Sequence, residues 1–191
     1  MHAELEAYHQ QFEQITKDAA DLVEGLTEEE FNWRPAAGAW SIEECLSHLT
    51  MVGHAELANI EQAIDQGRAR GRTGTPPFEY PALERLILRE TEPPVRHTLP
   101  APKRFTPLHN QPLTAVMPTF NHVQSMFLRQ IERSDGLDLR RVKVVTPISR
   151  LLKISLGTTF AQAAAHERRH LAQARRVRAR IPQGATLPAT H

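Results

Sequence analysis

Two histidines four residues apart constrain this chain more than any other feature. They lie in Ala163-Ala-Ala-His166-Glu-Arg-Arg-His170-Leu-Ala-Gln-Ala174, whose composition and spacing are those of a helix. On a helix, His166 and His170 stand one above the other on one face. The rest of that face is apolar: Leu156, Ala163, Ala174, Val177 and Ile181 share the stripe. Imidazoles aimed into a dry interior are costly unless something satisfies them. A divalent metal ion does so, because neutral imidazole is a good ligand and this spacing lets two rings reach one ion. The small Ala163 and Ala174 leave room beside them. Histidines bonded in a core to carbonyls or water are the plain alternative.

The string His166-Glu167-x-x-His170 also matches the pattern of zinc proteases, but the rest of the chain does not follow. Those enzymes need a third ligand downstream. No Asp or Glu occurs after Glu167, and the positions that would hold a Gly and a His hold Gln173 and Arg176. A third ligand from upstream fits better, and His48 is the candidate. It belongs to Trp40-Ser41-Ile42-Glu43-Glu44-Cys45-Leu46-Ser47-His48-Leu49. Ser41 and Glu44 have the spacing of a capping box, with Trp40 and Cys45 placed for a hydrophobic staple. An amphipathic helix follows, with Ile42, Leu46, Leu49, Leu57, Ile60 and Ile64 on its apolar side and His48 at the border. Alone, His48 reads as an ordinary half-buried histidine. Beside the other two it completes a three-histidine set.

At this point the chain resembles the DinB/YfiT-like family of metalloenzymes. The resemblance runs through Arg34-Pro35, Trp40-Ser41-Ile42 to His48-Leu49, Leu137-Asp-Leu139, Thr146-Pro147, Ser155-Leu156-Gly157 and His166 to Gln173-Ala174, roughly from residue 3 to 181. It implies an up-down-down-up four-helix bundle, often dimeric. It implies that His48 from the second helix and His166 and His170 from the fourth hold one divalent ion, Zn or Ni first and Fe or Mn after them. Relatives transfer low-molecular-weight thiols such as bacillithiol or mycothiol, and one branch isomerises maleylpyruvate. Others are described as metal-dependent hydrolases. The resemblance fixes fold and metal site better than reaction.

With 191 residues the chain is expected to form one domain over 1–182, with a loose tail at 183–191. Its start is acidic, with neither the basic nor the apolar region of a signal peptide. No apolar run approaches a membrane span. A single cysteine rules out an internal disulfide. A cytoplasmic protein with no membrane partner is the expectation. Charge is segregated: residues 1–65 hold fourteen acids and only Lys17 and Arg34 as bases, whereas the remainder holds eight acids and twenty-one bases. Arginines 168, 169, 175, 176, 178 and 180 could suggest a nucleic-acid stripe. Lacking interleaved aromatics, they read instead as the outer arc of a helix whose C-terminus favours cations and which faces acidic helices, so no nucleic-acid partner is expected.

Four long helices are expected: residues 3–24, about 42–66 ending at Gly67, a third from 113 or 118 to Gly136, and a fourth from 157–159 to before Pro182. A capping box at Thr27–Glu30 opens a short turn. Residues 68–112 hold nine prolines and form a long crossover, with a short helix at about 82–91 carrying Leu83, Leu86 and Ile87. Residues 137–152 read as irregular, with Val142–Val145 strand-like but lacking a partner.

Glu167, next to a ligand, is a candidate catalytic base, although on a helix it points about 100° away from His166. An ion pair with an arginine is its plain alternative. Cys45, one turn before His48, reads as a buried hydrophobe, and His122 as exposed. Three imidazoles leave one coordination position open, which suits catalysis more than structure. A metalloenzyme acting on a small electrophile, as thiol S-transferase or hydrolase, is the first reading. A non-enzymatic metal- or ligand-binding protein of stress response is the second. A homodimer is implied by the resemblance alone.

Overall fold

The computed structural model of the chain describes residues 1–93 and 101–182. The fold is dominated by helices. Four are long: α1 (Ala3–Val23), α3 (Ile42–Ala69), α5 (Leu113–Arg133) and α6 (Leu156–Arg178). The shorter α2 (Glu28–Asn32), α4 (Ala82–Thr91) and a 3-10 turn at Lys103–Phe105 lie in the connections. Among the long helices, α1 packs on α5 and α6, and α3 packs on the same two. The order around the bundle is therefore α1, α5, α3, α6. Apolar residues at helical spacing fill the centre: Leu5, Phe12, Ile15 and Ala19 of α1 meet Phe120, Val123 and Phe127 of α5. The rings of Phe12 and Phe127 stack with centroids 4.6 Å apart.

Local signals start these helices where the sequence predicts. Ser41 and Glu44 form the complete capping box of α3, and Thr27 and Glu30 that of α2. The fourth helix begins at Leu156, a residue earlier than expected. The third begins at Leu113 and carries Pro118 within its body. Glu28 accepts the Leu113 N–H, at 3.0 and 3.1 Å from its two oxygens, so a side chain from α2 caps α5. No single-helix pattern contains that contact.

Three expectations are corrected. The strand-like Val142–Val145 does have a partner: β1 (Lys143–Thr146) pairs antiparallel with β2 (Ser149–Ser155), placing Val144 opposite Ile154. Leu152 and Ile154 turn inward on alternate positions while Leu151 is almost fully exposed, a half-buried strand within the segment read as irregular. Gly67 does not end the second helix, which continues to Ala69. A Cβ on Gly67 would lie 2.8 Å from the Val142 side chain, so this glycine lets the segment leading into the hairpin approach the helix. The reversal falls at Gly71, with φ +60°. The short helix at 82–91 is present as α4, but Leu83 and Leu86 face outward and Glu84 is the buried residue. The tail expected at 183–191 lies outside the described residues.

Two arginines of α6 find carboxylate partners among the described residues. Arg175 pairs with Asp18 of α1 at 2.7 Å, and Arg168 with Glu92 at 2.7 Å. Arg178 donates to the last carbonyls of α1, at Asp21 and Leu22, which a C-terminus leaves open.

Candidate metal centre

His48 is carried by the second turn of α3, which its capping box fixes firmly, while His166 and His170 stand on successive turns of α6. The two helices pack together, so the three rings converge. Ligand nitrogens, one from each ring, lie within 4.8 Å of one another. Ring centroids are 4.6 Å apart for His166–His170 and for His48–His170, and 5.3 Å for His48–His166.

His48 Nδ1 donates to the carbonyl of Phe105 at 2.8 Å. A carbonyl only accepts, so this bond sets the tautomer and leaves Nε2 as the lone-pair atom. His170 Nδ1 is buried with no hydrogen-bond partner among the described residues. Such an orphan costs about 1–3 kcal/mol, and a cation among the rings is one group that would remove the cost. Burial drives all three rings toward the neutral form that a metal needs. It lowers His48, pushes His166 down to about 3 with help from His48 and Arg169, and pushes His170 down to about 2. The residues present therefore fit a divalent ion in charge state, number and spacing.

Trp40 forms one wall. Its ring lies 4.9 Å from that of His48 and 5.7 Å from that of His170, nearly parallel to the latter. The segment that delivers Trp40 is fastened by Arg34. The Arg34 guanidinium grips both oxygens of Glu44, with Nε donating at 2.7 Å, while Glu44 also receives the Ser41 N–H. One carboxylate thus completes the cap and anchors the loop. Sequence reasoning gave Trp40 a staple role and did not identify Phe105 at all. No periodicity could point to Phe105, because its contribution is a backbone carbonyl from 57 residues away.

Glu167 is almost fully buried, and its carboxyl engages α5: Gln124 Nε2 donates to Oε1 at 3.1 Å. Burial raises Glu167 to about 8, with the nearby Glu56 adding to the effect. Cys45 is buried, and burial pushes its thiol up to about 12, so it stays protonated. It does not join the histidine cluster. His122 is exposed.

No helix among the described residues is long and apolar enough to cross a membrane. No curated protein matches the chain closely enough to lend it a function. Residues 11–174, which include all three histidines, match the model of the DinB superfamily. A helical bundle whose second and last long helices bring three histidines together, over a match of that length, places this chain in the DinB superfamily.

Proposed function

We propose that the chain is a metal-dependent enzyme in which His48, His166 and His170 hold one divalent ion, and that it transfers a low-molecular-weight thiol to, or hydrolyses, a small electrophilic substrate. The observation that carries this reading is the convergence of three neutral imidazoles with ligand nitrogens within 4.8 Å. An ion with one open position supplies Lewis acidity, drawing a thiol or a water toward its anionic form near neutral pH.

The chain's own groups do the rest. Phe105 holds His48 in one tautomer through its carbonyl. Trp40 covers His48 and His170 from one side and keeps water from that flank. Glu167 is the acid–base candidate, and Glu167→Gln tests it separately: turnover falls while the metal stays bound. Zn or Ni is the first choice of ion by the family resemblance, with Fe or Mn next, and an all-imidazole site leaves the outcome mainly to availability. The same reading takes the long helices to run up-down-down-up, joined by the proline-rich crossover. It takes the chain to act as a cytoplasmic homodimer, with neither nucleic acid nor membrane as partner. A monomer mass by light scattering removes the dimer.

The test is metal analysis of the purified protein followed by a panel of bacillithiol, mycothiol and generic ester and amide substrates. Metal-dependent turnover that disappears in His166→Ala supports the enzyme. Bound metal without turnover across the panel moves the assignment to a non-enzymatic metal- or ligand-binding protein. A metal-free protein after growth in Zn and Ni overturns the metal site, and with it the enzyme.

A further inference from the structure

A second site lies apart from the histidines. A cleft of about 560 Å³ opens between α3, the 3-10 turn and the β-hairpin, within the size range of small-molecule sites. Arg104 and Lys153 stand on its walls, and Asn59, Gln62 and Thr146 also line it, the Asn59 amide donating to the Val145 carbonyl at 2.9 Å and the Thr146 hydroxyl to the Ser149 carbonyl at 3.2 Å. A smaller cleft of about 220 Å³ continues along the hairpin, shares Lys153 and adds Arg70, Arg72 and Lys143. None of the three histidines lines either cleft. Phe105 belongs to both neighbourhoods: it lines the larger cleft, and its carbonyl accepts from His48.

The charge here is unbalanced. α3 carries five acids, yet the residues it presents to the two clefts are Ala55, Asn59, Gln62, Ala63, Gln66 and Gly67, followed by Arg70 at its C-cap, with no carboxylate among them. These positions follow one helical stripe. Lys143 is already neutralised by Glu84 at 3.0 Å, and Arg72 bonds the Arg141 carbonyl. Arg70, Arg104 and Lys153 have no carboxylate partner among the described residues; Arg104 only lies over the Phe105 ring, at 4.8 Å. Cations without carboxylate partners around a concave floor free of acids form a receptor for acid groups, and Val145 and Pro147 offer apolar surface to the remainder of a ligand.

We propose that this groove binds a small organic anion, carboxylate or phosphate ester, with its acid groups on Arg104 and Lys153. The site is independent of the metal reading. The experiment is calorimetric titration of the full chain with two probes, citrate and inorganic pyrophosphate, in about 0.15 M chloride, where loose surface attraction is screened. Saturable binding of citrate assigns a carboxylate ligand, and saturable binding of pyrophosphate a phosphate one. Arg104→Gln/Lys153→Gln should weaken that binding about tenfold or more. Lys17→Gln/Arg129→Gln removes the same charge from exposed positions outside the groove and should leave affinity within about twofold. Absence of saturation with both probes overturns the proposal, and so does equal weakening in the two double variants. A His166→Ala background gives the same affinities if the site is separate from the metal.

Discussion

Two of the three histidine rings differ in how they are held, and the difference bears on what substitution will do. His48 is tied to a backbone carbonyl, whereas a nitrogen of His170 has no partner. His166→Ala should reduce bound divalent ion from about one per chain to near none, leaving helicity by circular dichroism unchanged, because metal binding here is added to an existing core. A collapse of helicity in this variant would mean that the imidazole, not the ion, is structural. A second residue-scale consequence concerns Glu56. It is buried on α3, and burial raises its carboxyl from 4.5 to about 8. Glu167 faces it from α6, and Gln124 of α5 bonds Glu167. Between those two pH values the folded chain holds a proton that the unfolded chain has lost, so stability falls as pH rises through the window. Glu56→Gln should raise stability at pH 8 by on the order of 2 kcal/mol and change little near pH 4, as read by urea unfolding at both pH values. An unchanged pH slope would show that Glu56 is not the group responsible.

Among the elements, close approach depends on small residues. At Gly53 of α3 an added Cβ would sit 2.6 Å from Val123 Cγ1 and 3.3 Å from Phe127 Cε2. Alanine is about 1 kcal/mol better than glycine inside an exposed helix, but overpacking a core contact costs about 1–3 kcal/mol. Gly53→Ala should therefore lower the melting temperature, and a rise would mean that α3 and α5 can separate slightly without cost. Glu84 is the one buried residue of α4, whose Leu83 and Leu86 face outward, and its carboxylate accepts from Lys143 at 3.0 Å and from Thr158 at 2.7 Å. Burial works against its charged form, yet Thr158, Ser155 and Lys143 hold its carboxyl below the ordinary value. Glu84→Ala should loosen α4 selectively, so that hydrogen exchange quickens over Ala82–Thr91 while the amides of α1 and α5 keep their protection. Uniform acceleration throughout the chain would place Glu84 in the common core instead.

For the whole molecule, the core does not depend on the histidines. Phe12, Phe31, Phe120, Phe127 and Phe160 are fully buried, none of them within the cluster. Chelation should therefore leave the helical signal intact and lower the melting temperature only by the binding energy withdrawn. Calorimetry with and without chelator measures this, and loss of the cooperative transition would show that the ion holds the bundle together.

The long helices, the capping box of α3 and the identity of the three histidines were legible in the sequence. The helices rest on local rules, 3.6-residue periodicity and reciprocal capping at Ser41–Glu44, and so does the pair His166 and His170, one turn apart; His48 was singled out only beside that pair and by the family resemblance. What the chain alone left open depended on partners distant in sequence. The pairing of β1 with β2 needed the α3 surface, opened at Gly67, for Val142 and the hairpin to pack against. The outward turn of Leu83 and Leu86 followed from a polar anchor at Glu84 that periodicity scores as solvent-facing. The tautomer of His48 was decided by the carbonyl of Phe105, and the setting of Glu167 by Gln124. Periodicity assigns a residue to a face of its helix; only the packed bundle decides which group it meets there, because contact energies fall off within a few ångströms while the chain separation between partners is tens of residues.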